Sequence, residues 1–457
     1  MPRLFALKAA IPEAVRRLAA DRRGVVAIVS GFALVVLLGF AGAAIDVGKW
    51  LKEQRSIQSA ADQAAYSAAA AADTSGCPNA AAEAQARAIA AARGYVDGQD
   101  GATVSVACNA GNSTFTVDVS EVQPMWFTRL FLSEPPQVSG SATAQLAGTE
   151  SDLCILANDG TNFYEGVVGS DSSAFSIGGN TTVDIACGIA VNSSNVAALS
   201  TGGSSSLTAT SIYLVGDHQG SPSGASQMTT SPTPNNILKY QRPVQDPYAG
   251  RTIPTLSSCT ATGKIVDTDI PPVPGGVYCG GLTFGTTGGS GNTVTLNPGV
   301  YYVVGGSLTF NSKAKVSGEG VTFVLTGNRL GQTGYATVTI NGGPQSLVSL
   351  TAPTSGPYGG LVFFQDRAAP ITDRSSCGSG SGGQNQFSGG SNQLITGAVY
   401  FPNQSLCYSG GSSSSGAGKC TQLIAHTLTF TGNSTIRSEC AGTGISPISI
   451  TKPQLIR

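Results

Sequence analysis

The chain has 457 residues, room for more than one domain with its own core, and its net charge of -1 leaves no basic surface of the kind that binds nucleic acid. Charged residues are only 11% of it, well below the usual quarter, and glycine is 60 of 457, nearly twice its usual share. Such a balance suits long β structure with tight turns or disordered tails, and the recurring apolar runs argue for the former. Ten cysteines are present: Cys77, Cys108, Cys154, Cys187, Cys259, Cys279, Cys377, Cys407, Cys420 and Cys440. They form no CxxC pair, and His218 and His426 are the only histidines, so ligand spacing for zinc is missing. The even count predicts disulfides in an oxidising compartment, with buried free thiols as the alternative.

Residues 1–23 form a short basic arm, with Arg3, Lys8, Arg16, Arg17, Arg22 and Arg23 against Glu13 and Asp21. Residues 24–45 follow as a transmembrane helix. From Val25 to Ile45 there is no charge and no proline. As a helix this run is about 31 Å long, close to the hydrocarbon thickness of a bilayer. Lipid offers the backbone no hydrogen-bond partners, so the run can cross only as a helix. Lys49, Lys52 and Arg55 on the far side are interleaved with Asp46 and Glu53, so the Lys/Arg balance predicts a cytoplasmic N-terminus. The expected location is a bacterial inner membrane, single-pass, with the body periplasmic or extracellular. All cysteines then face outward, in keeping with disulfides. The rival is a cleaved signal peptide, supported by the basic start and the small residues Ala41 to Ala44. The apolar run exceeds a usual signal core, and the helical pattern continues beyond it.

Helix is predicted from about Gly24 to Ala72. Ile57, Ala60, Ala61, Ala64, Ala65 and Ala68 recur at helical spacing, a narrow stripe that lets a helix lie close against a sheet or another helix. Gly76-Cys77-Pro78 ends it, and a second alanine-rich helix runs from about Asn79 to Arg93, with Gly94 as its cap. Strands are predicted at Thr103 to Ala107, Ser113 to Val119 and Val138 to Leu146, with a compact apolar patch at Met125 to Leu132. Residues 46–148 therefore read as a small α+β module built on the end of the membrane helix. A bridge from Cys77 to Cys108 would pin the helix end to the sheet.

Several features of this region fall in one order: Arg23-Gly24 before the span, Ala44-Ile45-Asp46 at its outer end, Gln58-Ser59-Ala60-Ala61-Asp62-Gln63-Ala64-Ala65 beyond it, then Met125-Trp126-Phe127 and Ser139 to Ala144. In these features the first 148 or so residues resemble the TadE/TadG-like proteins of Flp (Tad) pilus assembly. The resemblance implies a membrane-anchored envelope protein with a pilin-like module, linked to pilus biogenesis or surface attachment, whose partners are other Tad/Flp pilus-assembly envelope proteins. One departure stands out. Processed pilin-like precursors carry a glutamate five residues after the cleaved glycine, and that position is Val29 here, which puts processing and packing as a pilin in doubt.

From 149 onward short β-prone runs recur between Gly, Ser and Asn. Residues 149–221 are a first β-rich part, 222–274 a proline-rich connector with nine of the 23 prolines, and 275–457 a second β-rich part. Runs such as Asn297 to Phe310 and Gly318 to Gly327 read as coils of a right-handed parallel β-helix, with aliphatic interiors and Gly/Asn turns. No fixed repeat period is visible, so a β-sandwich is the alternative. The fold class is a membrane-anchored α+β module followed by an all-β domain.

Asp366-Arg367, after Phe363-Phe364, is the best catalytic candidate, because β-helical polysaccharide lyases use calcium-binding aspartates and a basic proton acceptor. A structural ion pair at a strand end is the simpler reading. Asp171, Asp184 and Asp217 are dispersed, and Asp267 and Asp269 lack a third carboxylate. No catalytic, cofactor-binding or metal residues are therefore assigned, and no cofactor is expected. The expected function is a structural or adhesive envelope component anchored in the lipid bilayer, with a hydroxyl- and amide-rich surface open to weak glycan contact. The alternative is a membrane-anchored, β-helical carbohydrate-active enzyme. Cys407 and Cys420 bracket a loop that a disulfide could close.

Overall fold

The computed structural model describes residues 25–72, 77–110, 114–159, 173–220, 227–231, 236–286, 291–343, 345–372, 385–388, 392–409, 420–431, 434–436 and 444–456. The basic arm 1–23, Asp171, Cys377 and Cys440 lie outside the described residues. The chain divides into two compact units, Met1–Ala147 with Lys452–Arg457, and Gly148–Thr451.

In the first unit, helix α1 (Val25–Ala71) is continuous over 47 residues, as its lack of proline allows. Its apolar first half is long and apolar enough to cross a membrane, and almost none of that stretch is buried in the protein. The second half is the reverse. Ile57, Ala60, Ala61, Ala64, Ala65 and Ala68 are all buried, as their spacing predicts. They pack with Ala82, Ala86 and Ala90 of α2 (Ala80–Ala92) and with an antiparallel sheet. The Asn79 carboxamide oxygen caps α2 by accepting the Ala82 N–H at 3.0 Å.

That sheet joins β1 (Ala102–Asn109), β2 (Thr114–Val122) and the first part of β3 (Gln137–Ala157). Val104 pairs with Val119, and Val119 with Gly140. Val104, Phe115, Val117, Val119, Ala142 and Ala144 alternate onto one face and cover the alanine stripe. Small residues on both sides bring helix and sheet very close. A Cβ on Gly140 would stand 2.8 Å from the Gln58 Cα, so only glycine fits. The Cys77–Cys108 disulfide ties the stretch before α2 to β1, as expected.

The second unit is a large β body with parallel strand pairing. One ladder runs from Tyr301 to Phe323 to Phe363 to Val399 to Leu423. A second runs from Leu308 to Val338, and from Leu406 to Leu428 to Phe175 to Leu199. A third joins Val294, Val316, Val348 and Gln393. Each inner face contributes buried Val, Leu, Ile and Phe to one continuous core. Within it a string of aromatic contacts passes from Phe323 to Phe363 to Phe387 to Tyr408 to Phe430 to Phe175, with successive ring centres 5.1–5.8 Å apart. Asparagine side chains satisfy backbone groups at some of the corners. Asn385 accepts the Val338 N–H at 2.9 Å, and Asn311 donates to the Gly285 carbonyl at 2.7 Å.

The stacking does not follow the order of the sequence. Leu423 pairs with Ile155 and Phe430 with Ile177, so the late strands sit directly on the early ones. The early part then extends the stack through Ile189, Ile212 and Ile237. One ladder thus contains both β-rich parts, while the proline-rich stretch returns the chain to the far end, where Ala261–Val266 pairs with Val277–Phe284. On the way it straps the outer face of the sheet. Val244 and Tyr248 are buried there with Phe364 and Tyr400. Asn192 exchanges two hydrogen bonds with the backbone of Val244, both 2.8 Å. Cys154–Cys187 and Cys259–Cys279 are bonded, and Cys407 and Cys420 are each in a disulfide.

Candidate functional site

The best-defined assembly of polar and apolar groups in the first unit surrounds the C-terminal end of the apolar half of α1. Asp46 is one residue past the predicted span and is buried. Its Oδ2 accepts from the backbone N–H groups of Trp126, Phe127 and Thr128 at 3.1, 2.8 and 2.8 Å, and from the Thr128 hydroxyl at 2.8 Å. These donors are the free N–H groups at the start of the short 3-10 turn Thr128–Leu130, which a carboxylate satisfies best. Around this clamp Trp50 Nε1 donates to the Pro124 carbonyl at 3.4 Å. The Lys49 ammonium stands 3.3 Å over the Trp126 ring. One helical turn before Asp46, Gly42 leaves room for Phe127: a Cβ there would lie 2.7 Å from the Phe127 ring.

Further along α1, Tyr95 donates to Glu53 at 2.5 Å, and Gln58 donates to the Ser141 carbonyl at 2.9 Å. The helix is thus held to the module by polar contacts as well as by the alanine stripe. A cleft of about 380 Å³ beside the Cys77–Cys108 bridge is lined by Asn79, Glu83, Val106 and Phe115. Its carboxylate, Glu83, pairs with Arg87 at 3.1 Å.

In the body, Asp366 and Arg367 point to different partners. Asp366 accepts from Thr326 at 2.5 Å and from Arg329 at 2.9 Å. Arg367 bonds Asp246 and Tyr400, and Tyr400 donates to Asp246 at 2.7 Å. Arg367 therefore fastens the strap to the sheet. Burial, reinforced by the Asp246 carboxylate, pushes the Tyr400 hydroxyl far above the usual tyrosine range. Asp217 gathers Lys239 at 2.8 Å, His218 at 3.1 Å and the Tyr240 hydroxyl at 3.1 Å. The Lys239 hydrogen bond, with the His218 N–H, pulls its pKa down to about 2. His426 is buried, 3.7 Å from Asp159. Asp269 accepts the Thr293 N–H, and Asp184 is exposed on its strand. Among the described residues no group of three or more His, Cys, Asp or Glu could hold a metal ion.

The Asp46 clamp joins two stretches eighty residues apart, and both belong to the set of sequence features that points to pilus assembly. Residues 24–71 match the Flp pilus-assembly TadE/G-like family. This TadE/G-like segment covers the apolar helix, Asp46 and the alanine stripe. No curated protein and no solved structure matches the chain. The role of Asp46 was not readable in advance, because its donors become neighbours only in the fold. The signals in the sequence are a carboxylate at the edge of an apolar run and the place of both stretches in one set of ordered features.

Proposed function

We propose that the protein is a structural or adhesive envelope component of Flp/Tad pilus assembly or surface attachment, anchored by α1 in the cytoplasmic membrane. The N-terminus is cytoplasmic and the body stands on the periplasmic or extracellular side, as the Lys/Arg asymmetry and the outward cysteines indicate. The observation that carries this reading is the TadE/G-like match over residues 24–71, coinciding with a helix whose apolar half is unburied and whose other half is packed into a folded module. Its partners are other Tad/Flp envelope proteins.

The body is a right-handed parallel β-helix on this reading. Long parallel ladders support it, since sandwiches are built from antiparallel sheets. The protein is not an enzyme: the one candidate pair, Asp366 and Arg367, is taken up in separate packing contacts, which supports construction over catalysis. Valine at position 29 argues against prepilin-type processing.

Deletion of the gene, complemented by the full chain or by a chain lacking the TadE/G-like segment, tests the proposal. Full-length complementation should restore pilus-dependent attachment, and mild crosslinking should co-isolate Tad envelope proteins. Unchanged attachment after deletion, with polysaccharide cleavage by the purified protein, would replace this reading by the carbohydrate-active alternative.

A further inference from the structure

We propose that the turn from Trp126 to Leu132 is a second membrane element, seated among the acyl chains of the outer leaflet beside α1. The inference rests on the reading that α1 crosses the bilayer.

Within seven residues this turn presents Trp126, Phe127, Leu130, Phe131 and Leu132 outward, with Leu130 84%, Phe131 68% and Trp126 63% exposed. So dense a cluster of large apolar side chains on the surface marks an interaction site. The turn is not loose. Three of its backbone N–H groups are fixed on the Asp46 carboxylate, so the apolar groups are held in position.

Continuity with the span identifies the occupant. Phe127 packs at Gly42 and Phe131 reaches Gly39, where a Cβ would lie 3.6 Å from the tip of its ring. Gly39 precedes Asp46 by seven residues, which places Phe131 about 10 Å deeper along the helix axis. If Asp46 marks the interface, that depth matches interfacial segments, which sink about 5–10 Å into the headgroup and acyl boundary. The helix at this level is also exposed and apolar: Leu38 and Phe40 flank Gly39 at about 100° on either side, and Leu37 is exposed on the far face. Lys49 over Trp126 suits the headgroup layer, where tryptophan and lysine concentrate. The exposed Arg129 can extend its charge back toward that layer. Lipid thus covers turn and helix as one surface. The Asp46 clamp sets the depth of the module on the membrane.

The test uses the full chain in vesicles of bromine-labelled phosphatidylcholine and phosphatidylglycerol. Its tryptophans, Trp50 and Trp126, are first replaced by phenylalanine. A single probe is then placed by F131W, by L130W or, as the span control, by F32W. Leu130 is the most exposed of the set, so its replacement leaves packing intact. Both turn probes should be quenched by brominated acyl chains to within about twofold of the span control, and shielded from aqueous iodide. If the span control is quenched by lipid while the turn probes respond to iodide, the turn is in water and the proposal fails alone. If the turn probes respond to neither agent, protein covers them, a second copy or a partner, and the proposal again fails. If the span control itself is quenched by iodide and not by lipid, α1 is not in the bilayer and both readings fall.

Discussion

Phe430→Ala probes the junction where the late strands pair with the early ones. Phe430 is fully buried, its ring centre 5.3 Å from Tyr408 and 5.4 Å from Phe175. Removing a buried phenylalanine ring costs about 3–5 kcal/mol in lost transfer energy and cavity formation. The two ring contacts account for about 0.5–1.5 kcal/mol each of that. For a unit of this size the change corresponds to a fall in melting temperature of roughly 10 °C. The informative readout is hydrogen exchange by mass spectrometry on the full-length protein in detergent. Because Phe430 pairs with Ile177 across the junction, protection should fall together in peptides covering Leu406–Thr431 and in those covering Phe175–Leu214. A double-mutant cycle with Phe175→Ala should return a coupling of about 0.5–1.5 kcal/mol. Loss of protection confined to the late segment, with no coupling to Phe175, would refute the tail-to-head stack.

Gly140→Val should force β3 away from α1 at Gln58 and destabilise the first unit by about 1–3 kcal/mol in chemical denaturation, leaving body unfolding unchanged. Replacing Cys77 and Cys108 by serine opens a loop with a separation of 31 residues and should lower the stability of the same unit by about 3–4 kcal/mol. Asp366→Asn with Arg367→Ala should lower body stability by about 2–4 kcal/mol, because the Asp246 carboxylate loses its cation and keeps only the neutral Tyr400 and Tyr248 donors, and Arg329 loses its carboxylate, without affecting membrane insertion. Burial holds Tyr248 and Tyr301 at about 12, above the ordinary tyrosine value, so the stability they confer is complete below pH 10 and is lost as pH rises through about 12. A 295 nm titration should show them ionising late and together with alkaline unfolding; ionisation near pH 10 in the folded protein would contradict their burial.

Much of the local structure was legible. The alanine stripe from Ile57 to Ala68 and strands such as Thr182–Ile185 and Val277–Phe284 follow from periodicity and turn residues within each segment. The run Leu423 to Phe430 reads as one strand but forms two, Thr421–Ala425 and Leu428–Thr431, because the chain turns a corner at His426-Thr427. Stacking order was not legible. Tyr301 pairs with Phe323 and Phe323 with Phe363, and that change of interval removes any fixed period from the sequence. Nothing local in Leu423 announces Ile155 as its neighbour. The stretch Met125 to Leu132 reads as a compact apolar patch, and in the fold Trp126, Leu130 and Phe131 are exposed. Hydrophobicity marks a surface for removal from water and does not say whether protein or lipid removes it. Asp366-Arg367 reads as one pair, but the side chains alternate across the strand end and reach Arg329 and Asp246 separately.

Topology labelling tests the central claim most directly. Cysteine is introduced by Arg16→Cys or by Ser204→Cys, an exposed turn position, and spheroplasts are treated with a membrane-impermeant maleimide. An anchored protein with its body outside predicts rapid labelling at 204, and labelling at 16 only after the membrane is broken. Labelling at 16 in intact spheroplasts, or protection at 204, would contradict the account.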